Sequence, residues 1–207
     1  MFRWVVILGG SLWAAAFLGS VQAAENTSRY SDLDFAVCEI VEEDSEFGFV
    51  QMKCPGAHGY DVYATEADLR IYLSFKPEDF VSVDPTTTDE GGTEEVDGIG
   101  QTLPPFNTLG PKLEWRAANI VGAEPFATIV RYHYQTMDEA GASGEGQLLV
   151  VSRFREGESC HVAYIDALAN SNANQMARDL ADTFANSGTC PEGAVPVLGA
   201  GAEAFRY

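Results

Sequence analysis

Three cationic side chains set the first chemical question. Arg131 and His133 are two residues apart in the run Pro125 to Tyr134, whose alternating pattern predicts a β-strand. Residues two apart share one strand face, so both point the same way. If Gln147 to Phe154 returns as the paired strand, Arg153 joins them, and Arg116 and Arg155 come near. Arginine presents a planar fork of donors to a carboxylate or sulfate. Arg131, His133 and Arg153 are therefore the candidate ligand-binding residues for a small anionic ligand. In the competing arrangement each cation pairs with a neighbouring acid on a solvated sheet face.

The histidines are His58, His133 and His161. His133 or His161 could serve as general base in a hydrolase. The nucleophile elbow Gly-x-Ser-x-Gly is missing, since Gly141-Ala142-Ser143-Gly144 does not meet its spacing. Zinc patterns of the His-Glu-x-x-His or paired-cysteine kind are missing too. Asp84, Asp89, Glu90, Glu94, Glu95 and Asp97 are hard oxygen ligands without the every-second-residue spacing of a calcium loop. No phosphate-binding glycine pattern follows a strand. The sequence thus assigns no catalytic residue, no metal ligand and no cofactor.

Cys38, Cys54, Cys160 and Cys190 include no Cys-x-x-Cys, so a thioredoxin-like centre lacks its motif. In an exported chain four cysteines form two disulfides. Three pairings are possible. The expected one joins near neighbours, Cys38–Cys54 and Cys160–Cys190, each bracketing a local unit.

Export is read from the N-terminus. Arg3 precedes the apolar stretch Trp4 to Leu18, and the small residues Val21 and Ala23 mark a cleavage site. Residues 1–23 have this signal-peptide layout, with an uncleaved anchor as the competing reading. No second long apolar run follows, so no stable membrane insertion is expected after cleavage. The expected location is the periplasm or the secreted fraction.

Charge narrows the partners. The 207 residues carry 12 Lys+Arg against 31 Asp+Glu, a net charge of −19. Such a chain repels phosphate backbones, which disfavours nucleic acid, and attracts cations or basic proteins. With 46% apolar residues, including 12 Phe, 8 Tyr and 3 Trp, the chain has the means to fill a core.

The elements that would position these residues are mostly strands. Residues 24–31 read as a flexible leader. Phe35 to Val41 and Phe47 to Lys53 read as a hairpin whose far ends Cys38–Cys54 would tie. Tyr60 to Ala64 is a short strand. Glu66 to Arg70 reads as one helical turn or a continuation into the strand Ile71 to Phe75. Residues 84–105, rich in acids, Thr, Gly and Pro, read as a mobile surface loop. Leu113 to Ala117, Pro125 to Tyr134, Gln147 to Phe154 and Cys160 to Ile165 follow as strands. Ala173, Met176, Ala177, Leu180, Ala181 and Phe184 then recur at helical spacing, with Asn170, Ser171 and Asn172 offering cap oxygens. Residues 191–207 read as a flexible tail.

These readings give one α+β domain over 24–190: antiparallel β-sheet with one C-terminal amphipathic helix packed on it. A β-sandwich is the alternative. The expected function is an acidic, disulfide-stabilised, non-enzymatic binding or envelope-accessory module. Its partner would be a basic protein or a small anionic ligand. The alternatives are an inhibitor of a cationic hydrolase such as a lysozyme, and a periplasmic hydrolase using His133 or His161.

Overall fold

The computed structural model describes residues 25–79, 98–99, 101–137, 141–155, 159–186 and 188–200. The expected signal peptide at 1–23 lies outside them, as does most of the acidic loop. The strands are β1 (Asn26–Asp32), β2 (Glu39–Asp44), β3 (Phe49–Cys54), β4 (Tyr60–Ala67), β5 (Arg70–Pro77), β6 (Gly98–Ile99), β7 (Asn107–Ala118), β8 (Pro125–Met137), β9 (Ser143–Arg153), β10 (Cys160–Asp166) and β11 (Val197–Leu198). Helix α1 (Ala173–Leu180) runs on into a π-helical turn, Ala181–Ala185.

Among the described residues the strands form two sheets. The first has the order β1-β7-β8-β9-β10-β11 and the second the order β2-β3-β4-β5-β6. All pairings are antiparallel except β10 with β11. The inner faces of the two sheets share one core. Val62, Ala64, Ile71, Leu73 and Phe75 from the second meet Leu113, Trp115, Val130, Tyr132 and Val150 from the first. Among the described residues the architecture is therefore sheet-dominated, with two sheets where the leading expectation had one, and a single short helical segment. Sheets that must each bury an apolar face find the simplest solution against one another.

Trp115 sits at the centre of this core. Its ring centroid is 5.0 Å from that of Phe75 and 5.9 Å from that of Phe154. Its indole N–H donates to Ser31 Oγ at 2.9 Å, so the buried polar atom is satisfied.

The outer face of the first sheet carries a second apolar cluster. Ala127, Ile129, Leu149, Val151 and Ile165 lie beneath Ala173, Ala177, Ala181 and Ala185. Alanine every four residues places a smooth stripe along one side of the helix. The helix ends where the sequence pattern places it, but its entry differs. The Asn172 side chain makes no capping bond. Asn170 instead binds outward, donating to the carbonyls of Asp166 and Ala200 and accepting from the Ala200 N–H.

Three local expectations are corrected. The segment read as a leader forms β1, paired with β7 along its length from Asn26↔Ala118 to Asp32↔Lys112. Phe35 to Val37 form a turn before β2 rather than strand. Asp34 causes it: its carboxylate accepts from Ala36 N–H and its carbonyl from Val37 N–H. The Glu66 to Arg70 segment is neither helix nor continuous strand. Asp68 and Leu69, with φ of 50° and 59°, make a tight left-handed turn between β4 and β5.

Segments expected to be loose hold specific contacts. Within 84–105, Leu103 is fully buried. Thr102 Oγ1 donates to the Ile71 carbonyl at 2.7 Å. Asn107 organises the same segment: its Oδ1 accepts from Ile71 N–H, and its Nδ2 donates to the carbonyls of Leu103 and Pro105. Asn107→Ala would strand buried groups at both ends of this network. A loss of about 2 kcal/mol is expected from urea denaturation. Within 191–207, Val197–Leu198 pair with Tyr164–Ile165.

Candidate functional site

Strand register places each predicted site residue. The β8–β9 ladder pairs Ala127↔Arg153, Arg131↔Leu149 and His133↔Gln147. Partners directly opposite share a face, so all three cations lie on the helix side of the first sheet. Along the strand, however, Arg153 is four positions from the partner of Arg131, which is about 13 Å. The structure brings Arg131 and His133 together and separates Arg153 from them.

The two ends of this face differ. Arg131 is half-buried and donates to Gln147 Oε1 at 2.9 Å. It borders a shallow cleft of about 230 Å³ that also holds Lys112 and Glu114. His133 Nδ1 is 2.9 Å from Glu145 Oε1, so its cation would find a carboxylate already beside it. Arg153 is buried under the helix end. It donates to the carbonyls of Ala185 and Gly188, where a cation offsets the negative end of the helical dipole. Arg116 is buried as well, and forks onto both oxygens of Asp182 at 2.7 and 2.6 Å. Arg153 and Arg116 thus clamp the helical segment to the sheet.

His161 lies on the inner face. Its ring packs against Tyr132 and Tyr164, and its Nδ1 is 2.9 Å from the Tyr164 hydroxyl. Burial pushes its pKa down to about 3, so it stays neutral at any ordinary pH. His58, which the sequence did not single out, sits at φ 58° beside a cleft of about 530 Å³ lined by Arg29, Asn119 and Glu124. Burial, and then the Arg29 charge, lower its pKa. Among the described residues no group of three or more His, Cys, Asp or Glu is placed to hold a metal ion.

The feature the sequence did not reveal is the β2–β3 hairpin. Every residue of β2 is exposed. Four apolar side chains stand open around it: Val37 70%, Ile40 58%, Val41 43% and Phe47 78% exposed. They sit in a one-signed setting. From Tyr30 to Met52 the chain has Asp32, Asp34, Glu39, Glu42, Glu43, Asp44 and Glu46, with no Lys or Arg. Alternation suggested a strand here but gave no sign that both its faces would be solvated. The available signal was the unbroken run of acids around apolar residues.

The hairpin is braced at its root. Cys38–Cys54 joins the start of β2 to the end of β3, with Cα atoms 4.5 Å apart. Cys160–Cys190 joins β10 to the segment after the helix. Both bridges follow the near-neighbour pairing expected from sequence. No helix among the described residues is long and apolar enough to cross a membrane. No known protein family, curated protein or solved structure matches the chain.

Proposed function

We propose that this chain is an exported, non-enzymatic binding module of the periplasm or the secreted fraction, and that its partner is a cationic protein. The observation that carries the reading is the braced β2–β3 hairpin, with Val37, Ile40, Val41 and Phe47 exposed within an acidic run. Apolar contacts inside a charged rim are the usual anatomy of a protein interface. A net charge of −19 would steer a basic protein toward it and repel most others. A cationic envelope hydrolase such as a lysozyme has this chemistry. The two disulfides and the leader at 1–23 support export.

Capture from the protein's own envelope fraction tests the reading. The chain, tagged at its C-terminus, is expected to retain a basic protein at low salt and release it at high salt. The combined change Val37→Ser, Ile40→Ser, Val41→Ser and Phe47→Ser should abolish capture without shifting the melting temperature. A bound protein that ignores both salt and these four changes would overturn the reading.

A further inference from the structure

We infer that β2 is a docking edge, at which an extended segment of alternating basic and apolar residues from the cationic partner adds as a further strand. The inference rests on the binding function proposed above and specifies its mode. β2 is the terminal strand of its sheet, and its only strand partner among the described residues is β3. An edge strand presents a row of backbone donors and acceptors on its open side, which is what strand addition uses.

The side chains specify what fits. Glu39, Glu42 and Asp44 pair with Lys53, Gln51 and Phe49, so these three carboxylates share the outer face. Ile40 pairs with Met52, which places it on the face continuous with the core. Register shifts between Ile40 and Glu42, so Val41 stands in an irregularity that twists the edge. No ion pair engages Glu39, Glu42 or Glu43 among the described residues.

Cross-strand neighbours of opposite charge attract, and like charges directly opposite repel. A second copy of this chain would set carboxylate against carboxylate at this edge. A neutral strand would gain only backbone bonds. A strand with Lys or Arg at alternate positions would answer the three carboxylates on one face and set apolar side chains against Ile40 on the other. The same charges that guard the edge against self-association therefore select a basic occupant.

The probe is a short capped peptide of alternating lysine and valine, titrated into the isotope-labelled full chain. Binding is expected to slow hydrogen exchange at the β2 amides that point away from β3. The same peptide N-methylated at every residue keeps its charge but has no amide donor on either edge, and should bind at least about tenfold more weakly. Glu39→Lys and Glu42→Lys together, both on the outer face, should weaken the lysine peptide by about tenfold and admit a glutamate–valine peptide in its place. These sites are exposed, so folding is not at stake. Equal binding of the methylated and unmethylated peptides would overturn strand addition and leave the cationic-partner reading standing. No protection of β2, or no response to charge reversal, would overturn it as well. The broader reading is decided separately, by the salt-released capture.

Discussion

Lowering the pH from 7 to 4 is expected to cost about 3 kcal/mol of stability through His161 alone. Burial against Tyr132 and Tyr164 holds the folded-state pKa at about 3, against 6.5 for an exposed histidine. Below pH 6.5 the unfolded chain takes up a proton that the folded chain refuses. The unfolded state thus binds more protons, and stability falls with pH until the folded ring is itself protonated near pH 3. His161→Phe removes the titrating group and keeps an aromatic ring in an aromatic setting. It loses the contact with the Tyr164 hydroxyl, so it should be less stable than the parent by about 1 kcal/mol at pH 7. By pH 4 the order should reverse, with the variant ahead by about 2 kcal/mol. Urea midpoints at pH 7, 5.5 and 4 read this directly. Curves for parent and variant that stay parallel across the series would refute it.

Replacing Cys160 and Cys190 together by serine is expected to cost a further amount of similar size. The bridge spans a sequence separation of 30, and closing a loop of that length in the unfolded chain is worth about 3.5 kcal/mol. Besides this bridge, the Arg116–Asp182 pair and the Arg153 bonds to the Ala185 and Gly188 carbonyls hold the helical segment. Its apolar contact with the sheet is made by Ala173, Ala177, Ala181 and Ala185, whose small side chains bury little area. Hydrogen exchange should therefore quicken across α1, β10 and β11 in the double variant, while β3 and β4 keep their protection. An unchanged denaturation midpoint, or loosening spread evenly over both sheets, would contradict this account.

How far the sequence could be read depended on whether local pattern decided the outcome. Thr128, Val130, Tyr132 and Tyr134 alternate with Ile129, Arg131 and His133, and β8 forms with those two faces. The alanine-rich periodicity after Asn172 predicted the helix, and nearness in sequence predicted both disulfides. Non-local facts left no such trace. β1, Asn-Thr-Ser-Arg-Tyr-Ser-Asp, has no apolar alternation and is a strand because β7 offers it a free edge. Asp68 and Leu69 turn left-handed without a glycine to announce it. The division into two sheets depends on which strands pair, which periodicity does not encode. At the candidate site the sequence put Arg131, His133 and Arg153 on one face but could not say that Arg153 is buried beneath a helix end. Nor could it show that β2 would be wet on both sides. A strand's own pattern tells which residues alternate, and only its neighbours decide which are covered.

The two bridges also determine what a protease could do to this protein. The exposed hairpin, with Phe47 open at its tip, offers a cleaving enzyme a target. A single cut anywhere between Cys38 and Cys54 leaves both pieces covalently joined, because the bridge closes that loop. The same holds between Cys160 and Cys190, a span that contains the whole helix. A nicked molecule would thus stay one molecule, with β3 still paired to β4 and β9 to β10. The hairpin, open to a protease, is thus also a segment that a single cleavage cannot detach.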